Sequence, residues 1–478
     1  MAVIVAMATA TLLGVQALTI PPISPPVLET NNTHSLWKTN QSSKAETLRS
    51  ICGLRATKEL ISYAKYHDKI LQNKLPPRYL YSVAVEAGFA DRLTGIISLF
   101  WLAFLSKHAF QIGFHHKLPL FQSAYDPIFI NWIKPDFSEL YETPLLFTYE
   151  GIRGNKKPRK FPSSANLRTH HFEYLINDFN KTKRLFRYTN LTQYPSSHSS
   201  KGESYVYASS NRGGTHLIYR NPYLKEYFQK TLRLPAANIF RCGYHFLFHV
   251  NDAVGQLVSE LWSDVTPLTT SSVFSKMFNK STESQNKFVS KTLPEEEQGR
   301  NYSSSVRVGI GVRVGDRSFT AKADALTEIS RYSETLQCAE DIEVSLRDLI
   351  PKSNQSAVWV FQSESLRLRQ LVKRHYGKKK IVIVDAKTSY FHGDCQRKMF
   401  HDNCDPSHLS SAIQVAVAQF TLFSLCDIHI FYGNSGFHRL GALVSKSPHF
   451  IYIQPDSTKC SLRNRLSWRS VSQMGCRV

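Results

Sequence analysis

The sequence predicts an α/β protein whose strands are buried in parallel, doubly wound sheets. Three observations carry that expectation. Runs such as Val306–Val312 (VRVGIGV), Ala357–Gln362 (AVWVFQ) and Ile381–Asp385 (IVIVD) are near-continuously apolar and β-branched, the pattern of strands covered on both faces. Stretches of helical period separate them, as crossover helices do. Near residue 90, strand, glycine turn, apolar helix and strand follow one another as a βαβ unit. No fixed-period repeat is visible, which argues against a solenoid or propeller.

In chain order, residues 1–20 (MAVIVAMATATLLGVQALTI) are apolar and uncharged, with Val15 and Ala17 before a Pro-rich stretch. They read as a signal peptide or short signal anchor. Residues 21–50, rich in Pro, Ser, Thr and Asn, read as a stem. An N-terminal domain is expected over 51–263. It holds a helix at Leu54–Leu71, a strand at Tyr79–Val85, a buried helix at Leu93–Ala109 and a strand at Phe110–Phe114. The basic stretch Gly151–Arg168 and the Ser- and Gly-dense stretch 195–214 read as surface loops, and Tyr223–Leu261 as largely helical with a break at Pro235.

Residues 264–305 are polar and carry the acidic cluster Glu295-Glu296-Glu297, so they read as a linker or insertion. The C-terminal domain, 306–478, is the most regular. Beyond the three strands already named, its pattern gives helices at Ser330–Leu349, Ser365–Tyr376, Ser410–Ser424 and Gly436–Ser445. Further strands are expected at Asp427–Tyr432 and Phe450–Gln454.

Composition narrows the function. Lys and Arg number 59 against 37 Asp and Glu, a net charge of +22, which favours an anionic partner. Seven N-x-S/T sequons (Asn31, Asn40, Asn180, Asn190, Asn279, Asn301, Asn354) point to export into the secretory pathway, with the Golgi lumen as the expected compartment. Eight cysteines without C-x-x-C or zinc-like spacing read as disulfides, with Cys395–Cys404 the one nameable pair. Export makes nucleic acid an unlikely partner and limits membrane attachment to the N-terminal segment.

In a doubly wound sheet, ligands bind where strands end and loops pass into helices. Four clusters fall there: Gly88–Arg92, Arg313–Arg317, Ser363–Ser365 and Gly433–Arg439. Each combines a helix start with arginines or hydroxyls, a set suited to a diphosphate. Plainer roles exist for each: a local Arg313–Asp316 ion pair, N-caps at Ser363-Glu364 and Asn434-Ser435, a tight turn at Gly88-Phe89. Walker-type, G-x-G-x-x-G, G-x-S-x-G and H-E-x-x-H motifs are absent, which removes the simplest kinase, nicotinamide, hydrolase and metalloprotease readings. His115-His116 and His170-His171 are sequence neighbours whose side chains diverge, a poor basis for a shared metal.

At these residues the chain resembles the fucosyltransferase superfamily that includes protein O-fucosyl, α1,6- and plant xyloglucan-type α1,2-enzymes. Gly88-Phe89-Ala90-Asp91-Arg92-Leu93 resembles its G-x-G-N-R-type helix start. Val308 to Asp316 resembles its H-x-R-x-G-D motif, whose arginine holds the GDP diphosphate. Asn434 to Leu440 is similar to its closing S-x-F-G-R motif, and Cys242–Phe248 resembles a plant and algal segment. Gly311 stands at the motif's His position, Ala90-Asp91 replaces Gly-Asn, and His438 replaces Gly.

The resemblance implies a GT-B fold, two Rossmann-like domains facing a cleft, with the acceptor side first and the GDP-sugar side second. It implies inverting transfer of fucose from GDP-fucose to a glycan or glycoprotein, without metal or other cofactor. Arg313 is then the cation at the leaving group, and Glu86 and Asp91 are the candidate bases. The donor residues become Gly88, Arg92, Gly315, Asp316, Ser363, Glu364, Ser435, Gly436, Phe437 and Arg439. The alternative is a luminal carbohydrate-binding protein that kept the fold and lost catalysis.

Overall fold

The computed structural model describes residues 41–83, 87–113, 121–134, 170–195, 202–262, 306–314, 327–349, 357–377, 381–383, 406–432, 435–445 and 449–453. Two parallel sheets organise them. The first contains β1 (Arg78–Val83), β2 (Ala109–Gly113), β4 (His170–Tyr174) and β5 (Ser204–Ser209) in the order β2-β1-β5-β4. The second contains β7 (Val306–Val312), β8 (Ala357–Ser363), β9 (Ile381–Ile383), β10 (Ile428–Tyr432) and β11 (His449–Ile453) in the order β11-β10-β7-β8-β9. Every pairing in both is parallel, as the unbroken apolar runs predict. A short antiparallel ribbon joins β3 (Tyr125–Pro127) to β6 (Phe248–Val250).

Nine helices matter to the packing: α1 (Gln41–Cys52), α2 (Leu54–Leu71), α3 (Phe89–Leu105), α4 (Asn238–Leu247), α5 (Asp252–Trp262), α6 (Ser333–Leu349), α7 (Leu366–Tyr376), α8 (Pro406–Ser424) and α9 (Gly436–Val444). The crossover β1–α3–β2 is the expected βαβ unit, with Tyr79 beside Ala109 and Val83 beside Gly113. Its helix begins at Phe89, four residues before the expected start, because Gly88 takes the N-cap position and Arg92 N–H already bonds Gly88 O at 3.0 Å. Apolar all round, α3 is core: Leu99, Phe100, Trp101, Leu102 and Ala103 are fully buried. Each such large side chain contributes about 1.5–3 kcal/mol. Trp101 Nε1 donates to Ile239 O at 3.1 Å and Trp132 Nε1 to Leu247 O at 2.8 Å, so α4 satisfies the buried indoles.

Two expectations need correction. The stretch 195–214 is not only loop, since β5 runs through it between β1 and β4. Its residues alternate: Val206 and Ala208 face the main core, while Tyr205 and Tyr207 stack on Tyr79 and Tyr81 at 6.0 and 5.1 Å. Flanking serines and glycines hide that period-2 pattern. The helical reading of Tyr223–Leu261 is likewise interrupted by β6 between α4 and α5.

β7 lies at the centre of the second sheet. Val308, Ile310 and Val312 face the core shared with α6 and α7. Gly309 and Gly311 face the other way, toward α8, the turn after it and α9, which come so close that a Cβ at 309 would lie 3.0 Å from Cys426 Sγ and 3.1 Å from Phe423 Cε2. At the amino edge, Asp427 Oδ2 accepts from Arg307 Nε at 2.8 Å and Arg307 N at 3.0 Å, and Oδ1 accepts from Nη2 at 2.9 Å. That fork stitches the start of β10 to β7.

A disulfide joins Cys52 of α1 to Cys242 of α4. Cys395–Cys404 lies outside the described residues. Among those residues, no helix is long and apolar enough to cross a membrane.

Candidate functional site

Strand order locates the site before any side chain is considered. In the second sheet the chain moves from β7 outward through β8 to β9, then returns to the other side of β7 with β10. The reversal puts a topological switch point, and hence a ligand crevice, at the carboxyl ends of β7 and β10. The first sheet has its own reversal between β1 and β5.

Arg313 follows β7 directly. Its Nε is 3.6 Å from Glu364 Oε1, the carboxylate that follows β8. The arginine side chain is about a third exposed (31%) and the carboxylate side chain nearly buried (4%), so a buried carboxylate backs a cation that is partly open to solvent. Thus Arg313 pairs with a neighbouring strand's loop, and Asp316 lies outside the described residues. Ser363 Oγ accepts from Ser365 N at 3.2 Å, and Ser365 Oγ caps α7 through Leu368 N at 3.0 Å. These hydroxyls fix the β8–α7 turn on which Glu364 sits.

On the other side of the switch point, Ser435 caps α9: its Oγ accepts from His438 N at 3.3 Å. The first amides of a helix have no acceptor within it, so this turn presents N–H groups and the positive end of the helix dipole. Here α3 and α9 meet. A Cβ on Gly436 would lie 3.3 Å from Ala90 Cβ and 3.8 Å from Arg439 Nη2, and the rings of Phe89 and Phe437 are 5.9 Å apart. The Gly88–Arg92 and Ser435–Arg439 clusters, more than 340 positions apart in sequence, therefore share one corner of the structure.

The remaining candidates divide. Asp91 is exposed in the first turn of α3, where a carboxylate complements the dipole. Arg92 is 3% exposed, with its guanidinium over the Phe121 ring at 5.9 Å, and so faces the core of the first sheet. Glu86, Gly315, Gly433 and Asn434, like Asp316, lie outside the described residues.

Sequence reasoning missed three features. His438 fills the space over Gly311: a Cβ there would lie 2.4 Å from His438 Cγ. Burial and the nearby Arg313 charge push the His438 pKa down to about 3, so the imidazole is neutral. At the far end of α9, Arg241 Nε donates to Leu443 O at 2.9 Å, and His245 Nε2 bonds Val444 O at 2.8 Å. The Cys242–Phe248 segment thus holds the helix whose start forms the crevice wall, and burial pushes the Arg241 pKa down to about 10, still cationic. Finally, Asn177 and Asn211 pair at the carboxyl edge of the first sheet (Asn177 N to Asn211 Oδ1 2.9 Å, Asn211 Nδ2 to Asn177 Oδ1 3.0 Å), with Arg212 Nη2 on Asn177 Oδ1 at 3.1 Å. All three join residues distant in sequence, and no local motif announces their pairing. Among the described residues, no group of three or more His, Cys, Asp or Glu side chains is placed to hold a metal ion.

No protein-family model matches the sequence, and no curated protein sequence matches it. Among solved structures the chain is similar to an Arg-to-Lys mutant of Arabidopsis thaliana FUT1 in complex with GDP, at 13% identity and a TM-score of 0.48, over 86% of this chain and 78% of that one. It is also similar to NodZ alpha-1,6-fucosyltransferase soaked with GDP-fucose, at 10% identity and a TM-score of 0.40, over 77% and 93% of the two chains. A third likeness is to fucosyltransferase NodZ from Bradyrhizobium, at 12% identity and a TM-score of 0.38, over 77% and 92%. Similarity this distant assigns no activity to the chain.

Proposed function

We propose that the chain is a glycosyltransferase that takes fucose from GDP-fucose and passes it, with inversion, to a glycan or glycoprotein hydroxyl. The observation that carries this reading is the position of Arg313. It stands at the switch point of a five-stranded parallel sheet, backed by a buried carboxylate and flanked by the N-terminal turn of α9. A forked cation and a row of helix-start amides are what a nucleotide diphosphate needs. The resemblance of Val308–Asp316 and Asn434–Leu440 to the fucosyltransferase motifs supports GDP-fucose as the donor. A second domain on the first sheet, 51–263, takes the acceptor.

In the reaction the acceptor oxygen attacks the anomeric carbon and the bond from that carbon to the diphosphate breaks. The electron pair passes to the β-phosphate oxygen, where Arg313 and the α9 amides meet the developing charge without a metal. The hydroxyl proton goes to a carboxylate, and Asp91, exposed in the first turn of α3 beside the Ala90 that faces Gly436, is the described residue we assign to it. The seven sequons and the Cys52–Cys242 disulfide support a secretory-pathway, Golgi-lumenal enzyme.

The test is to incubate the purified protein with GDP-fucose, GDP-mannose and GDP-glucose over a panel of glycan acceptors and to measure GDP release after EDTA treatment. Release with GDP-fucose, and a product of opposite anomeric configuration by NMR, is expected. GDP binding without release from any pair would leave a carbohydrate-binding relative that has lost catalysis. No GDP binding at all would end the reading.

A further inference from the structure

Gly311 is the penultimate residue of β7, on the face that carries α8 and α9, and Arg313 follows the strand two positions on. Gly311 has no side chain to fill the space below Arg313. His438 fills it from the opposite direction. Its ring packs against Phe423 at 5.2 Å and Phe437 at 5.6 Å, with Cγ and Cδ2 only 2.4 and 2.5 Å from where a Cβ of residue 311 would be. The residue is 5% exposed, and its Nδ1 is buried without a hydrogen-bond partner among the described residues. Burying such an atom without a partner is unfavourable, and a phenylalanine would fill the same aromatic niche without that cost.

We infer that His438 is a positioning residue of the nucleotide crevice: its imidazole, delivered from α9, is the floor beneath Arg313 and sets where the guanidinium meets the diphosphate. The inference rests on the nucleotide-sugar reading above. It also joins two departures of the sequence from the motifs it resembles. The glycine at 311, where the motif has histidine, and the histidine at 438, where it has glycine, become one exchange, with the same volume at the switch point supplied from the helix in place of the strand. A neutral ring suits the position, because a second cation there would push Arg313 away from the site; the depressed His438 pKa agrees.

The exchange gives the experiment. GDP affinity is measured by calorimetry, and melting temperature alongside, for wild type, Gly311→His, His438→Gly, the double variant Gly311→His/His438→Gly, and His438→Phe. Each single variant of the pair is expected to weaken GDP binding by about tenfold or more, since a misplaced binding group loses affinity steeply with distance. The double variant should recover to within about threefold of wild type. His438→Phe, which keeps the ring and removes its unpaired nitrogen, should melt at or above the wild-type temperature and keep GDP affinity within about threefold of wild type. Wild-type GDP affinity in folded His438→Gly, or in folded Gly311→His if His438→Gly does not fold, overturns the inference while the nucleotide reading stands. Absence of GDP binding by the wild type overturns the nucleotide reading itself.

Discussion

Replacing Arg313 by lysine separates a binding cation from an ordinary surface ion pair. Arg313 Nε lies 3.6 Å from Glu364 Oε1 and the arginine is about a third exposed. An ion pair this open to solvent contributes about 0–1 kcal/mol, and lysine keeps its charge. The melting temperature of Arg313→Lys should therefore stay within about 3 °C of wild type. Turnover should not. A guanidinium holds two phosphate oxygens at once, an ammonium cannot reproduce the fork, and the loss of one preorganised donor to a developing anion costs about 10²–10³ in rate, or 2.7–4 kcal/mol. The assay is initial-rate GDP release from GDP-fucose beside differential scanning fluorimetry on the same preparation. A folded variant with turnover within about threefold of wild type would take Arg313 out of the site and reduce its contact with Glu364 to surface electrostatics.

Three further outcomes follow from the packing. Asp427→Asn exchanges a carboxylate that accepts three hydrogen bonds from Arg307 for an amide and strands a largely buried guanidinium; it should cost about 3–5 kcal/mol in a denaturant titration. Gly95→Ala puts a Cβ at 1.9 Å from the backbone oxygen of Ser210 and forces the β5 edge off α3, so urea unfolding should register a loss of about 3 kcal/mol or more. His67 is fully buried with Nε2 bonded to Phe110 O at 2.9 Å, and burial pushes its pKa down to about 4 from 6.5. Between those values the unfolded chain binds the extra proton, so stability falls as pH drops from 6.5 toward 4, by about 2 kcal/mol at pH 5 from this group. In His67→Phe that slope should flatten, and an unchanged slope would remove His67 from the acid response.

Much of the fold was legible because its strands are buried on both sides. Val306–Val312 and Ala357–Gln362 are apolar without alternation, and the structure reproduces the first boundary and extends the second by one residue to Ser363. β5 was not legible, because its core-facing residues are as small as Ala208 and its flanks are serine and glycine. The candidate site was legible in pieces. Helix starts and strand ends announce themselves through Gly88, Ser363, Ser435 and Arg313, whereas their convergence depends on the order β11-β10-β7-β8-β9, which no local pattern encodes. The Glu364 partner of Arg313 and the His438 ring over Gly311 are contacts across strands and helices, settled by packing. Arg92 shows the converse: its motif position pointed to a ligand, while its burial over Phe121 places it in the core of the first sheet.

The central claim is that the carboxyl ends of β7 and β10 hold a nucleotide diphosphate. A crystal structure of the protein grown with GDP tests it most directly. The account expects the diphosphate within hydrogen-bonding distance of the Arg313 guanidinium and of the backbone amides in the Ser435–Phe437 turn, with Glu364 still behind the arginine. GDP bound at any other place, with Arg313 directed away from its phosphates, would contradict it.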